Sequence, residues 1–271
     1  MIDKRRVRKN FSGAGDYDYY TSYHNIALKN IAAAVKNLLS DKNHLKRLNI
    51  LDAGCGTGQG YLALIDALPG IPFDYFGLDF AFEMLKKAKT KLNGAKIKEA
   101  NFCLICADAE FLPFGGKKFD VIFSNMTLHW LENMDFFLNK CNFTLKDKGT
   151  VILSFLISGT LKEFEENFKN ILSDSIKLHA FPDLAHIEEK ICEAGLKIDR
   201  FEEMEYIETA KSSLELLKRI NKLGAKNAVN EKQLSASSLR RRIADYDKYY
   251  RNDEQLVYCT YKIAFFALKK I

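Results

Sequence analysis

The sequence predicts a doubly wound α/β fold, in which helices cover both faces of a mostly parallel sheet. Short apolar runs typical of strands alternate with helix-like stretches throughout residues 48–156, which is the pattern of successive βαβ units. Polar residues stand at the ends of four of these strands: Asp52, Asp79, Asp108 and Asn125. The carboxyl ends of parallel strands meet at one edge of the sheet, so we expect these side chains to line one ligand crevice.

The individual elements follow from apolar spacing and from turn residues. Residues 25–39 show the helical repeat of an amphipathic helix. Strands are predicted from Leu48 to about Asp52 and at 74–79, 101–107, 119–124, 150–156, 196–206 and 256–268. Further helices are predicted at 61–68, 81–91, 134–145, 160–171, 183–194, 214–224 and 239–250. Glycines at 70, 195 and 224 mark helix ends.

The most informative stretch is Asp52-Ala-Gly54-Cys-Gly56-Thr-Gly58, directly after the first strand. Its glycines permit a tight turn and let a ligand approach the backbone. It is not a P-loop, because no Gly-Lys-Ser/Thr follows. It is not a dinucleotide fingerprint either, because Gln59 stands where the third glycine is needed. Asp79 lies 21 residues after Gly58, near the distance at which an acid bonds ribose hydroxyls, and a helix N-cap role there is compatible.

Composition excludes several classes of protein. Apolar content of 47% and charged content of 28% are ordinary for a globular protein, and the longest apolar runs are too short to span a membrane. No apolar stretch follows the basic N-terminus, so no signal peptide is expected. Six scattered cysteines predict reduced thiols in a cytoplasmic protein and no metal site. Cys103 and Cys106 would point to opposite faces of a strand.

The net charge of +6 is unevenly distributed, since residues 207–271 hold 14 Lys or Arg and 7 Asp or Glu. A basic excess suits an acidic partner, although a solvated basic face explains it equally well. No nucleic-acid motif accompanies it. We predict three parts: an aromatic N-terminal lid segment at 1–24, a main domain at 25–206 and 255–271, and a helical lid inserted at 207–254.

The D-x-G-x-G-x-G loop and residues 48–156 as a whole resemble the class I S-adenosylmethionine-dependent methyltransferases. The resemblance implies a Rossmann-like sheet of seven strands with the last one antiparallel, and S-adenosylmethionine as cofactor, released as S-adenosylhomocysteine. It also implies that Asp79 holds the ribose, that Asp108 and Ala109 contact the adenine, and that Phe80 and Met84 pack against the base. The complete set of implied cofactor-binding residues is Asp52, Gly54, Cys55, Gly56, Gln59, Asp79, Phe80, Met84, Asp108, Ala109, Glu110 and Asn125.

Several stretches together resemble one family, the malonyl-acyl carrier protein O-methyltransferases of biotin synthesis. They are Arg8-Lys-Asn-Phe11 with Tyr17-Asp-x-Tyr20, Leu51–Gly58, Phe119-Asp…Ser124-Asn125…Trp130, Ser158-Gly-Thr-Leu161, Phe181-Pro182 and Leu216-Leu217…Leu223-Gly-Ala225. The sequence departs from the family at two places. His129 stands before Trp130 where glutamine is expected, and the stretch between Phe11 and Tyr17 is one residue shorter. Asn-x-x-x-His-Trp also occurs in trans-aconitate methyltransferases, which share the architecture.

The resemblance implies methyl transfer to the free carboxylate of a malonyl thioester on acyl carrier protein. This carboxylate is already ionised at neutral pH, so no catalytic acid or base is required. Catalysis then consists of positioning and of water exclusion. Tyrosine hydroxyls would orient a carboxylate more gently than an arginine clamp. The predicted substrate-positioning residues are Tyr17, Tyr20, His129, Trp130, Lys218 and Arg219.

Two other functions stay open on sequence alone. One is a small-molecule methyltransferase, acting on a free carboxylic acid such as trans-aconitate or on a quinone-like carbon. Base-assisted methylation of a weak acid would need a histidine or glutamate, and His129 is the one well placed. The other is a non-catalytic protein that binds the cofactor, against which the intact loop and Asp79 argue.

Overall fold

The computed structural model describes residues 4–12, 18, 22–40, 47–95, 97–168, 181–222 and 236–271. Their core is a seven-stranded sheet in the order β3-β2-β1-β4-β5-β7-β6. The strands are β1 (Leu48–Ala53), β2 (Phe73–Asp79), β3 (Ala100–Cys106), β4 (Phe119–Asn125), β5 (Leu145–Leu156), β6 (Leu196–Ala210) and β7 (Val257–Lys270). β1 to β5 pair in parallel, whereas β7 runs antiparallel to both β5 and β6. The predicted fold class is confirmed.

Nine α-helices occur in the described part of the chain. They are α1 (Lys4–Ser12), α2 (Ser22–Ser40), α3 (Gln59–Ala67), α4 (Phe82–Gly94), α5 (Met134–Thr144), α6 (Lys162–Phe168), α7 (Leu184–Glu193), α8 (Ser213–Lys222) and α9 (Ala236–Tyr249). Two of them, α8 and α9, lie between β6 and β7, as the sequence predicts. The C-terminal ends predicted for α6 (residues 169–171) and α8 (residues 223–224) fall outside the described residues.

Both faces of the sheet are buried, because neighbouring strand residues point in opposite directions. Ile50 faces α2, α3 and α4 and packs with Val35 and Leu64. Leu51, the next residue, faces α5 and α7 and packs with Phe137 and Ile187. A strand buried on both sides reads as a continuous apolar run, which is why periodicity in the sequence located β1 and β4 well.

A third apolar cluster lies at the β6–β7 side of the sheet. The helices α6, α8 and α9 contribute Phe164, Leu216 and Tyr246, and β7 contributes Tyr261. Tyr23 at the start of α2 stacks on Tyr261, with ring centroids 4.3 Å apart. The inserted helices therefore share a core with the sheet and with the N-terminal end of α2.

Some sequence-based boundaries were wrong. The sequence predicts no helix before residue 25, whereas α1 spans Lys4–Ser12. β5, β6 and β7 extend beyond the predicted ends, to Leu145, Ala210 and Lys270. β6 is an edge strand with mostly exposed side chains. Its many charged residues are not typical of a strand, so the sequence does not indicate its full length. Pairing with β7 extends the strand to Ala210.

Candidate active site

One cavity opens at the carboxyl ends of β1, β2, β3 and β4, with about 660 Å³ of empty space that includes its opening to solvent. Its lining combines backbone, acidic and apolar groups: Lys4, Phe11, Gly54, Gly56, Leu78, Asp79, Phe80, Met84, Asp108, Ala109, Asn125, Met126, Thr127, Trp130 and Leu131. Nine of the residues predicted from the sequence meet here, although they come from four separate stretches of the chain, 54–56, 79–84, 108–109 and 125–130.

The glycine loop forms one wall of the cavity with an unusual backbone. Gly54, Gly56 and Gly58 all have positive φ angles, of 87°, 52° and 83°, which residues with a side chain rarely adopt. A Cβ atom on Gly56 would meet no atom within 4 Å, whereas one on Gly54 would lie 2.1 Å from Oγ1 of Thr127. Gly54 therefore lets β1 and the end of β4 approach each other, and Gly56 leaves its backbone open to a ligand.

Asp79 stands at the end of β2 and holds this loop in place. Its Oδ2 accepts the N–H of Gly56 at 2.9 Å, and its Oδ1 accepts the N–H of Ala81 at 2.8 Å. Each carboxylate oxygen can accept a second hydrogen bond, so the group retains acceptors for a ligand with two hydroxyls. Burial raises the pKa of Asp79 to about 6, against the opposing effect of these two N–H groups. The predicted ribose-binding acid thus fixes the turn that leads into α4, but the predicted N-cap role is wrong, because the N-cap is Ala81 and no side chain caps that helix.

Asp52 lies behind the loop, outside the cavity lining. It is buried, and its Oδ2 accepts the hydroxyl of Tyr75 at 2.6 Å. Burial raises the pKa of Asp52 to about 7; the Tyr75 hydrogen bond opposes this, and the nearby charge of Asp79 adds to it. A Cβ on Gly60 would lie 2.2 Å from Asp52 Oδ2, so that glycine makes room for the carboxylate. In the structure Asp52 supports the loop from beneath.

We expect Asp52→Asn to stabilise the ligand-free protein above neutral pH. A raised carboxyl pKa contributes stability that is fully present below the unfolded value of about 3.9 and is lost as pH rises through about 7. Asparagine keeps an acceptor for Tyr75 and carries no charge. Thermal unfolding should give matching midpoints for mutant and wild type only near pH 3.5, below both pKa values, and an advantage of the mutant that grows between about pH 4 and pH 7 and is fully developed at pH 8. A difference that does not change with pH would contradict this assignment.

Asp108 and Glu110 bring two carboxylates to the end of β3, where Lys4 of α1 joins them. Lys4 Nζ lies 2.6 Å from Asp108 Oδ2 and 2.8 Å from Glu110 Oε1. Burial lowers the pKa of Lys4, but the bonds to both carboxylates outweigh it and raise the pKa overall. Glu110 is buried and also accepts the N–H groups of Glu132 and Asn133. Glu110 therefore holds α1 and the chain before α5 in place and does not line the cavity, whereas Asp108 does.

Helix α1 forms the roof of the cavity. Phe11 and Phe80 both pack against the buried pair Ala81 and Met84, and the Phe11 ring meets Trp130 edge-on with centroids 5.7 Å apart. Val7, between Lys4 and Phe11 on the same helical face, is buried. Phe11 belongs to a stretch that marks the family resemblance, but nothing in the sequence indicates that Lys4 reaches Asp108.

Asp18 fastens the N-terminal segment to the glycine loop. Its two carboxylate oxygens accept hydrogen bonds from Thr57 Oγ1 at 2.6 Å and from Lys91 Nζ at 2.7 Å. Burial would raise the pKa of Asp18, but the bonds from Lys91 and Thr57 outweigh it and lower the pKa. Residues on both sides of 13–17 thus contact the walls of the cavity.

The end of β4 supplies a third wall. The side chain of Asn125 donates to the carbonyl of His24 and accepts from Ser154 Oγ, so it joins α2 to β5. Met126 follows with a φ of 54°, a strained conformation for a residue with a side chain. This turn brings Met126 and Thr127 into the lining, and the sequence analysis identified neither of them.

Several predicted site residues lie elsewhere. Cys55 belongs to the glycine loop, but its side chain is buried outside the cavity lining, and burial raises the pKa of its thiol. Gln59 is the first residue of α3 and does not line the cavity. His129 is buried outside the lining, and its Nδ1 accepts the N–H of Leu156 at 3.4 Å. On α8, Lys218 is exposed and Arg219 pairs with Glu208 and Glu215. Tyr17 and Tyr20 fall outside the described residues, and their roles stay predictions.

Comparison with known proteins agrees with this geometry. Residues 51–153 match the methyltransferase domain family, and this range includes the glycine loop, Asp79 and Asn125. The chain is 29% identical over 259 residues to malonyl-[acyl-carrier protein] O-methyltransferase 2 of Ilyobacter polytropus, covering 94% of each protein. The protein is an S-adenosylmethionine-dependent methyltransferase. Its resemblance to the malonyl-acyl carrier protein O-methyltransferases, inferred from short motifs, is thereby confirmed.

Further relatives extend the match along the whole methyltransferase chain. The enzyme from Acetivibrio thermocellus with the same name is 27% identical over all of this chain and 95% of its own length. The biotin biosynthesis bifunctional protein BioHC of Saccharophagus degradans is 29% identical over 99% of this chain, which spans 47% of that longer protein.

Solved structures share the fold at lower identity. The YcgJ protein of Bacillus subtilis superimposes with a TM-score of 0.59 at 15% identity, over 91% of this chain and 99% of its own. Haemonchus contortus phosphoethanolamine N-methyltransferase 2, solved with S-adenosyl-L-methionine, gives 0.55 at 18% identity, over 96% of this chain and 57% of its own. These similarities support the Rossmann-like methyltransferase fold.

The residues present fit S-adenosylmethionine. Asp79 has acceptors left that would hold two ribose hydroxyls, and Asp108, at the next strand end, would accept from an adenine amine. Leu78, Phe80 and Met84 offer an apolar wall between the two acids. The open space above Gly56 admits a ligand that lies against the backbone. The cofactor carries no phosphate, and the glycine loop accordingly contains no lysine or arginine. When bound, S-adenosylmethionine supplies an activated methyl group on a sulfonium.

Proposed function

We propose that this methyltransferase esterifies the free carboxylate of a malonyl thioester carried on acyl carrier protein, in early biotin synthesis. The observation that carries the proposal is the near full-length match to enzymes named for this substrate, at 94–100% of this chain. The match extends beyond the methyltransferase domain at 51–153 into the N-terminal segment and into α8 and α9, and a shared fold alone would not indicate a shared substrate.

The chemistry of the cavity suits this reaction. A malonyl carboxylate is ionised at neutral pH and needs no base to attack a methyl group. Among the described residues that line the cavity there is no histidine. The residues of this chain would instead hold the adenosyl group through Asp79 and Asp108, and shield the reacting groups from water with Phe11 and Trp130. Orientation and desolvation are then the main sources of rate enhancement.

We also propose that residues 1–24 act as a lid and that the helical insertion at 207–254 covers the substrate. Phe11 and Asp18 contact the cofactor cavity and the glycine loop, respectively, so ligand binding should hold both flanks of residues 13–17 more firmly. Limited proteolysis near Gly13–Gly15 should therefore slow when S-adenosylhomocysteine is added. Equal cleavage rates with and without the ligand would argue against the lid.

Tyr17→Phe tests whether a tyrosine hydroxyl positions the substrate. We expect turnover of the malonyl thioester to fall roughly tenfold, because one hydrogen bond to a charged carboxylate is worth about 1.5–3 kcal/mol. The dissociation constant for the cofactor should stay within about twofold. A variant that loses cofactor affinity and turnover in parallel would show that Tyr17 serves the cofactor site.

A substrate panel tests the proposed function. Purified enzyme with methyl-labelled cofactor is offered malonyl-acyl carrier protein, malonyl-coenzyme A, trans-aconitate or buffer. We expect the highest kcat/KM with the carrier protein. Preference for trans-aconitate would make the enzyme a small-molecule methyltransferase. Cofactor binding with no transfer to any of them would favour a non-catalytic role.

The free state of all six cysteines supports our further proposal that the protein is cytoplasmic.

A further inference from the structure

The outer sides of α1 and α4 form one basic surface beside the cavity. The two helices pack against each other. Their inner faces line the cavity through Lys4 and Phe11 of α1 and Met84 of α4. We define the α1–α4 face as the exposed cations on their outer sides: Arg5, Arg8 and Lys9 of α1 with Lys86 and Lys89 of α4. The roof of the cofactor site is therefore also a positively charged surface.

The concentration of charge on these helices is far above the average for the chain. Their sequences contain nine Lys or Arg and one acid, Glu83, whereas the whole chain of 271 residues has a net charge of +6. Glu83 pairs with Lys86 at 2.9 Å. Within the described residues, Arg8, Lys9 and Lys89 take part in no ion pair. These three side chains therefore add no ion pair to the described part of the fold and present their charge to solvent.

An exposed aromatic residue accompanies the cations. Phe82 begins α4 and is 53% exposed. Lys86 Nζ lies 5.1 Å from the centroid of its ring. An apolar side chain surrounded by cations gives a docking surface both a contact that excludes water and long-range attraction.

We propose that the α1–α4 face docks the acidic surface of the acyl carrier protein, an inference that rests on the proposed function. Carrier proteins are strongly acidic, and their substrate hangs from a flexible pantetheine arm. A partner held on the outside of α1 needs to pass its arm around a helix about 10 Å across to reach the cavity. Helix α1 would then both cover the cofactor and, on its outer side, hold the carrier protein beside the opening through which the pantetheine arm enters.

Helix α9 offers a competing basic surface, since Arg240 and Arg241 are exposed. It packs on α6 and α8 and contributes none of the described residues of the cavity lining. Its sequence holds four Lys or Arg against two Asp, a weaker excess than that of α1 and α4. Charge and proximity therefore both favour the α1–α4 face.

Charge reversal tests the proposal with a matched control. One variant carries Arg8→Glu, Lys9→Glu and Lys89→Glu; the control carries Arg240→Glu, Arg241→Glu and Lys248→Glu, the same change in charge. At low ionic strength the first variant should lose about tenfold or more in kcat/KM for malonyl-acyl carrier protein, and the loss should shrink in high salt because screening weakens steering. Its kcat/KM for malonyl-pantetheine, and its affinity for S-adenosylhomocysteine, should stay within about twofold.

The outcomes separate this inference from the proposed function. Equal losses on both thioesters would mean that the substitutions damage the cavity, and no loss on either would mean a solvated face; each overturns the inference. A larger loss in the α9 control would place docking there and overturn it as well. If wild-type enzyme methylates neither thioester, the proposed function fails first. A different case is that wild type methylates both thioesters while the variants show equal losses, no loss, or a larger loss in the α9 control. In that case the proposed function stands and only the docking surface is wrong.

Discussion

Asp79→Ala should weaken cofactor binding about ten- to a hundredfold. The substitution removes a buried carboxylate with acceptors for two ribose hydroxyls, and hydrogen bonds to a charged group contribute roughly 1.5–3 kcal/mol. It also frees the N–H groups of Gly56 and Ala81, which Asp79 now holds at 2.9 and 2.8 Å. Isothermal titration with S-adenosylmethionine measures the effect directly.

Asp74→Ala is the matched control at the other end of the same strand. Asp74 pairs with Arg47 and accepts a hydrogen bond from Asn101, far from the cavity lining, so its loss should leave cofactor affinity unchanged. A second signature is pH dependence. Because the pKa of Asp79 is about 6, wild-type affinity should weaken as pH falls through that value, and the Asp79→Ala variant should lose this dependence. An unchanged dissociation constant in a folded Asp79→Ala protein would refute the ribose assignment.

Gly54→Ala should have a comparably large effect, on both stability and cofactor binding. A methyl group there would lie 2.1 Å from Thr127 Oγ1, at a φ of 87°. Backbone strain of about 1–3 kcal/mol would add to overpacking of about 1–3 kcal/mol. Thr127 lines the cavity, so any shift that relieves the clash moves the cavity wall. We expect a clear loss in the free energy of unfolding and no measurable cofactor binding at micromolar concentrations.

Gly70→Ala separates strain from crowding. Gly70 has a φ of 75°, but an added Cβ would meet no atom within 4 Å, so its substitution should cost only the strain, about 1–3 kcal/mol. Adding Thr127→Ala to Gly54→Ala removes two of the three clashing atoms and should restore part of the stability. If Gly54→Ala proved no more destabilising than Gly70→Ala, the close approach of Gly54 to Thr127 would not be important.

The sequence predicted the sheet and the acidic strand ends because both depend on local patterns. Apolar runs mark the strands, and an acid ends or follows two of them: Asp79 is the last residue of β2, and Asp108 comes shortly after the partly exposed edge strand β3. Once the fold is known, parallel strands must bring these ends together. The number of seven strands and the antiparallel last strand came from family resemblance, and the strand order was not predicted, since it depends on long-range pairing that periodicity does not encode.

Contacts made across the chain could not be predicted in the same way. Lys4 and Asp108 are 104 residues apart, and a basic N-terminal run gives no sign that one lysine turns inward. Asp52 was assigned to the cofactor from its motif, yet its partner is Tyr75, because Gly60 leaves space for its carboxylate beneath the loop. Met126 and Thr127 enter the lining through a turn in which Met126 has a positive φ angle. Such a turn is usually predicted from a glycine, and there is none at this position.

The chemical nature of the methylated product tests the central claim most directly. Malonyl-acyl carrier protein is incubated with labelled cofactor, and the product is analysed by mass spectrometry and by mild alkali. The proposed function predicts a single added methyl group on the malonyl moiety, released as volatile methanol by alkali because it is an ester. Label that stays with the carrier protein after alkali, or a methyl group located on its polypeptide, would contradict carboxylate methylation by this site.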